Sequence, residues 1–333
     1  MSNIGKVVTL REVAVAAAGA RSATVDIVEM MNKACPLLDD MHFQNGNLPT
    51  GHLFKVRASL PGVYWRRLNE GVKATRSTVT QVTETCGMLE AVSDLDAKEV
   101  DLADDRSLFR LQESYAFIEA MTQEFSNAVW YGDEGVKPEA ITGLAKRFSS
   151  LTGPVSSQII DAGGTANANA SIWLVVWSPL TTFGIVPKNS RAGLIHDASE
   201  KIDITDFENQ GTYKGYRDRF QWDVGLCLRD HRYVGRIANI DVDKLDTFGT
   251  ASDQAADLIG LMNRITNRIQ NLTMGRAVFY MNRRVKEAWE NQLLKSQYIQ
   301  HTVDTATGKW QESYKMIPIK VDDSLLETEE RVV

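Results

Sequence analysis

Cysteine is scarce, with three in 333 residues, at positions 35, 86 and 227, and no C-x-x-C pair. An odd, dispersed set excludes a disulfide framework and a cysteine-based zinc site. The five histidines, His42, His52, His196, His231 and His301, show no H-x-H or H-x-x-x-H spacing, so no metal or other cofactor is expected on them. Proline and glycine, 8 and 23 residues, are too few for a low-complexity linker protein. Long hydrophobic runs are absent. A run such as Ile172 to Trp177 falls far short of the roughly 20 apolar residues that span a bilayer, so no membrane partner is expected. Excess positive charge is absent as well. A net charge of −6 excludes a module built to grip nucleic acid, though not one that lies beside it. The N-terminal stretch carries Lys6 and Arg11 without a continuous apolar region or cleavage site, which predicts no signal peptide and a chain made and kept in a cytoplasm, or in something assembled there.

What remains is an ordinary globular composition, 43% hydrophobic and 24% charged, arranged unusually along the chain. Residues 1–49 read as an arm: small residues from Ala14 to Ala20, then Val25, Val28 and Met31 at helical spacing, broken by Pro36 and Asn45-Gly46-Asn47. Residues 50–92 read as a long hairpin, with strand-like Leu53 to Arg57 and β-branched Ser77 to Thr83 separated by about 20 residues. Its charge is polarised. Lys55 to Arg76 holds six basic residues against Glu70 alone, a net of +5; Glu84 to Asp105 holds eight acids against Lys98 alone, a net of −7. Those acids lack calcium-loop spacing, so a solvated or interface-facing acidic face is expected.

Residues 105–130 carry the clearest helix signal. Leu108, Leu111, Tyr115, Ile118, Met121, Phe125 and Val129 recur every three or four positions, and Gly132 and Pro138 end the pattern. Arg110, Glu113, Glu119 and Glu124 are expected on the opposite face. Ser171 to Trp177 is apolar on both faces, as a buried central strand requires. Phe220 to Leu228 alternates, and Tyr233 to Ile240 is expected to return beside it after a turn at Arg229-Asp230-His231. Helices are expected at 252–272, with Ser252 as N-cap, and from Asn282 to about Lys295, with a short strand between them at Ala277 to Met281. A final hairpin turns near Thr307-Gly308, and Ile317, Ile319 and Val321 alternate. The order is α+β rather than regular βαβ.

Chemistry-bearing patterns are weak. The loop Asp161 to Thr165 contains Gly163-Gly164 but fits neither phosphate-loop pattern. Cys227 and His231, four apart on a strand, would lie about 13 Å from each other, beyond hydrogen-bond reach. Arg264, Arg268, Arg276, Arg283, Arg284 and Lys286 leave two readings open: contact with nucleic acid or an acidic neighbour, and a solvated helix face. The seven tryptophans read as core, except Trp65 in the basic hairpin tip, which reads as an interface anchor. The unusual features are projections, which need a neighbour to cover them. No enzyme is predicted.

Several segments then carry a resemblance. They are Tyr64 to Gly71, Gln81 to Gly87, Trp130-Tyr131-Gly132-Asp133 with Ile141 to Ala145, Asn169 to Trp177, Thr182 to Pro187, Arg219 to Leu226, Arg232 to Ile240 and Phe279 to Arg284. Their number and order across residues 50–290 resemble the major capsid proteins of tailed bacteriophages, especially short-tailed ones. The resemblance implies the Hong Kong 97-like fold: an N-terminal arm at 1–49, an extended E-loop hairpin at 50–92, and a peripheral domain at 93–155 with a spine helix at 105–130. An axial domain at 156–295, with peripheral strands interleaved, and a C-terminal hairpin and tail at 296–333 complete it. The implied function is self-assembly as pentamers and hexamers into an icosahedral shell around double-stranded DNA, assembled in a bacterial cytoplasm and retained in the virion. The implied partners are other copies, a portal protein, a scaffolding protein and a cement or decoration protein, with packaged DNA lying alongside. Trp65, Arg66, Arg67, Lys73 and Arg76 on the basic side, and Glu84, Glu90, Asp94 and Asp96 on the acidic side, are the expected contacts between subunits. Two alternatives stay open at this level: an α+β enzyme using the Gly163-Gly164 loop, and a tail-tube or decoration protein.

Overall fold

A computed structural model describes residues 8–9, 36–102, 106–165, 168–190, 193–206, 211–249, 254–295 and 312–333. In chain order, β1 (Val8–Thr9) is followed by α1 (Pro36–Asp40), β2 (Phe43–Asn45), β3 (Gly51–Ser59), β4 (Thr78–Asp96), α2 (Ala97–Leu102), α3 (Arg106–Tyr131), α4 (Leu144–Arg147) and β5 (Ile159–Asp161). Then come β6 (Asn169–Trp177), β7 (Thr182–Val186), β8 (Ile195–Ala198), β9 (Ile202–Asp206), β10 (Gly211–Leu228), β11 (Val234–Asp241), α5 (Leu258–Arg268), β12 (Arg276–Met281), α6 (Arg283–Lys295), β13 (Ser313–Tyr314) and β14 (Ile317–Val321). The helical pattern expected from Ala14 to Met31, the Ser252 cap and the turn at Thr307-Gly308 lie outside the described residues. From Pro36 onward the chain is part of the body, with Leu37 and Met41 buried in the core.

The strands join in the order β1-β8-β10-β7-β6-β12-β14-β13, with β11 also on β6, β4 and β9 on β10, and β2 on β7. β6 is buried along its whole length. Alternation sends Trp173, Val175 and Trp177 to one face and Ile172, Leu174 and Val176 to the other. The first face meets α3 through Ile118, Met121, Phe125, Val129 and Trp130. The second meets α5 and α6 through Leu258, Met262, Ile265, Val285 and Trp289. The result is helix, sheet and helix pair in three layers.

α3 runs 26 residues, about 39 Å at 1.5 Å per residue. It ends where Gly132 donates to Ala128 O at 2.9 Å. A Cβ on Gly132 would lie 2.2 Å from Ile141 O, so only glycine lets the chain return this closely. Glu113, Glu119 and Glu124 are exposed as expected. Arg110 is not. It turns inward, paired with buried Asp218 at 2.6 Å and lying over the Tyr216 ring, because the sheet offers it a carboxylate and an aromatic face.

Two other expectations are corrected. β11 does not return beside β10. One edge of β10 is filled by β4 and the other by β7, β8 and β9, so β11 pairs with β6 and β5 instead. α5 spans 258–268, capped by Asp257, whose carboxylate accepts from Gly260 N at 3.0 Å. Asn282 caps α6 as expected, accepting from Arg284 N at 3.0 Å. The described C-terminal hairpin turns at Lys315-Met316, both with positive φ, as a two-residue primed turn requires.

The C-terminal tail is held by buried polar groups. Asp322 accepts from Trp130 Nε1 at 2.9 Å and Ser126 Oγ at 3.1 Å. Glu329 pairs with Arg236 at 2.8 Å, both almost wholly buried, and accepts from Tyr131 at 2.5 Å. Arg236 also donates to Phe148 O and stacks on Trp173. Breaking a buried ion pair by removing one partner costs on the order of 3–5 kcal/mol, whereas replacing both is often near neutral. Glu329→Leu should therefore lower the urea midpoint of the soluble subunit sharply, and Arg236→Met added to it should restore much of the loss. Additive losses would contradict the coupling. A second expectation concerns α3. Tyr115→Pro removes a backbone donor in mid-helix and clashes with the preceding turn, at about 3 kcal/mol or more. Insoluble protein or failed assembly is expected, and normal particles under the electron microscope would contradict it.

Candidate assembly interface

β3 and β4 pair in antiparallel register from Gly51–Thr85 to Ser59–Thr78, and from Lys55 to Gln81 nearly every residue is exposed. The hairpin therefore leaves the body as a two-stranded projection, which is marginal in water without a covering surface. Pro61 and Gly62 end β3, because proline cannot donate to the ladder. Among the described residues, the tip, residues 60–77, is held by local bonds only. Thr75 Oγ1 donates to Gly62 O at 2.8 Å, Ser59 and Thr78 share a hydroxyl bond at 2.5 Å, and Asn69 takes the left-handed conformation that asparagine tolerates. Trp65 is fully exposed, and Leu60, Val63 and Leu68 are each more than three-quarters exposed. None of Arg66, Arg67, Lys73 and Arg76 has an acidic partner among the described residues. Trp130, Trp173, Trp177, Trp222 and Trp289 are buried, so among the described residues Trp65 is the exposed tryptophan, as the sequence indicated.

The acidic half is placed differently. Glu84 is only 7% exposed, and its carboxylate forms a bidentate pair with Arg147 at 2.5 and 2.7 Å. It is a residue of the subunit's own interior, which corrects its expected role as a contact. The cause is α4, whose last residue, Arg147, reaches over the base of the hairpin and also donates to Thr142 O. Asp94 forms a bidentate pair with Arg217 at 2.6 and 2.7 Å, and Glu90 pairs with Arg219. Asp96 caps α2, accepting from Lys98 N at 2.7 Å. These pairs form a seam where β4 changes partner from β3 to β10. Beside it, His196 and Arg110 both bond Asp218.

Other sequence candidates take structural places. Cys227 is buried with Phe54, Phe183 and Ile185, while His231 sits on an exposed turn. Burial, with the nearby Glu84 carboxylate, pushes the Cys227 thiol up to about 12; burial and Asp223 do the same for Cys86. The Gly163-Gly164 loop is a turn. Asp161 accepts from Gly163 N at 2.8 Å and from Asn239 Nδ2, and Asn239 clasps Val332. Arg276, Arg283, Arg284 and Lys286 pair with Asp40, Asp323, Glu327 and Glu312, and Arg268 donates to the carbonyls of Ser157 and Ile159. Among the described residues, no group of three or more His, Cys, Asp or Glu is placed to hold a metal ion, and no helix is long and apolar enough to cross a membrane.

The seam has a definite pH dependence. Burial opposes ionisation of Asp218, but hydrogen bonds from His196 and Arg110 outweigh it and hold its carboxyl below the usual range; the bond from Arg219 does the same for Glu90. A depressed folded-state pKa gives stability that is present above the ordinary carboxylate pKa, about 4, and is lost as pH falls through the depressed values. Amide protection of residues 86–96 should stay level down to about pH 5 and fall below about pH 4. Asp218→Asn should flatten that dependence. Unchanged protection factors at pH 3 would show that these carboxylates do not hold the seam.

A family model described as major capsid protein GP7 matches residues 19–333. Among solved structures, a chain of bacteriophage epsilon15 superposes with a TM-score of 0.67 at 27% identity over 88% of each chain. A chain of the bacteriophage JBD30 capsid superposes at 0.50 with 8% identity, over 86% of this chain and 90% of that one, a likeness of fold alone. No curated protein matches the sequence. A projecting hairpin, a 26-residue spine helix and a mixed sheet backed by two helices form the Hong Kong 97-like fold, and the chain belongs to the GP7 family of major capsid proteins, the subunits of the icosahedral phage head.

Proposed function

We propose that the shell is held by repeated contacts in which the basic hairpin tip of one subunit, Trp65, Arg66, Arg67, Lys73 and Arg76, docks on an acidic surface of the next. The observation that carries this is the tip itself: exposed apolar side chains among cations that have no acidic partner among the described residues. Burial of a tryptophan flanked by arginines is the usual composition of an interface hot spot. The subunit divides its labour accordingly. The hairpin at 50–92 and the elements at 93–155 form the outer, peripheral part, and the strands and helices at 156–295 form the part nearest the ring centre. Assembly takes place in the host cytoplasm on a scaffolding protein, with a portal at one vertex and a cement protein on the finished shell. A net charge of −6 suits a container, since a strongly basic lining would bind packaged DNA through its phosphates.

The test is Arg66→Glu with Arg67→Glu. Exposed charge pairs are worth about 0–1 kcal/mol each, so one contact weakens modestly, but every subunit of a shell repeats the loss. Shell yield by negative-stain microscopy should collapse, while the circular dichroism of the soluble subunit stays unchanged. Normal shell yield would overturn the docking.

A further inference from the structure

The basic run of the C-terminal half leaves a remainder that the fold does not absorb. Leu258 to Lys286 holds six cations and no acid. Four of the six, Arg276, Arg283, Arg284 and Lys286, are neutralised by carboxylates of the same subunit. Arg264 and Arg268, both on α5, have no carboxylate partner among the described residues.

α5 turns Leu258, Leu261, Met262 and Ile265 into the core, so its period places Asn263, Arg264, Asn267 and Arg268 on the opposite side. The first three are exposed and Arg268 is half-buried. Arg268 donates to the carbonyls of Ser157 and Ile159 at 2.9 and 2.6 Å, which holds its guanidinium in place beside Arg264. Burial and the Arg264 charge both lower the Arg268 pKa, as expected of two like charges with no acid between them. Lys315, on the turn of the C-terminal hairpin, brings a third cation to this face by donating to Asn263 at 2.5 Å. Exposed Gln270 carries the amide character past the helix end.

The chemistry of this face differs from that of the hairpin tip. No large apolar side chain of α5 is exposed. A protein interface is anchored by such side chains, as Trp65 would anchor the tip. Arginine, lysine and amide side chains without an apolar anchor are the groups that bond the phosphate oxygens of a nucleic acid, independently of its sequence. On the opposite layer, the exposed side of α3 carries Glu113, Glu119 and Glu124, which repel phosphate. We infer that the outer face of α5 is turned to the lumen of the head and takes the phosphate backbone of the packaged double-stranded DNA. Arg264, Arg268 and Lys315 supply the charge, and the amides of Asn267 and Gln270 bond phosphate oxygens beside them. Three cations per subunit make a weak contact that salt screens away, which lets the genome lie along the wall without being trapped by a chain of net charge −6. The inference goes beyond the hairpin docking and does not depend on it.

Arginine footprinting on whole heads tests this. DNA-filled heads, and heads of the same preparation that have released their DNA, are treated with phenylglyoxal, and the modified arginines are read by mass spectrometry. Buried Arg236 supplies the unreactive baseline. Arg264 should be protected in filled heads and modified in emptied ones, and its protection in filled heads should fade as salt is raised. Modification in both states would overturn the inference, because the face would be bare. Protection in both states would overturn it too, because an acidic surface of another subunit would then be covering the face. A second measurement uses Arg264→Glu with Asn267→Asp, a reversal of charge at two exposed positions. Heads should form and fill, and cryo-EM density joining α5 to the outermost DNA layer should be lost. Unchanged density, or a folded, soluble subunit that no longer forms shells, would assign the face elsewhere and overturn the inference.

Discussion

Everything in this subunit is arranged around a strand that has no solvent face. β6 carries large apolar side chains on both sides, so each side needs its own cover. The spine helix covers one and the α5–α6 pair the other, and the aromatic contacts between Trp130 and Trp173 and between Phe125 and Trp222 lie on the spine side. A close-packed interior of this kind is stiff. It gives a shell-forming subunit a rigid body from which thinner elements project.

α1 and the C-terminal tail are fastened to that body by buried charge as well as by apolar surface. Asp40 near the N-terminal side accepts from Tyr280 at 2.6 Å and pairs with Lys320 and Arg276. Asp322 and Glu329 near the C-terminus bond α3 and Arg236. Buried ion pairs contribute little net stability but penalise any arrangement that leaves one member alone. They thus fix where α1 and the C-terminal tail lie, which matters for a protein whose neighbours must meet the same surface at every repeat.

The electrostatics divide along the long strand β4. Past Glu84, Glu90 and Asp94 are neutralised by Arg219 and Arg217 of the same subunit, which ties β4 to β10 and anchors the hairpin's base. Before Glu84 the cations of the tip find no such partner. The unsatisfied tip is joined directly to the strand whose far end is anchored, so the body determines where the tip points. Any interaction the tip makes is transmitted to the sheet through unbroken backbone pairing.

Local pattern made much of this legible. The two-faced apolar run at Ser171 to Trp177, the period of α3, the Asn282 cap and the exposure of Trp65 all follow from neighbours within a few residues. So did the family, from scattered segments in a fixed order. What the sequence left open depends on partners far along the chain. Glu84 meets Arg147, Asp94 meets Arg217 and Glu90 meets Arg219 across 63, 123 and 129 residues. The net charge of 84–105 reads as a free acidic face until strand register supplies those arginines. The placement of β11 beside β6, and the inward turn of Arg110 to Asp218, have the same origin. Which edges of β10 were already occupied, and which carboxylate lay beneath α3, depended on the assembled sheet. Periodicity fixes which face of an element is apolar; only tertiary packing decides which charges meet across it.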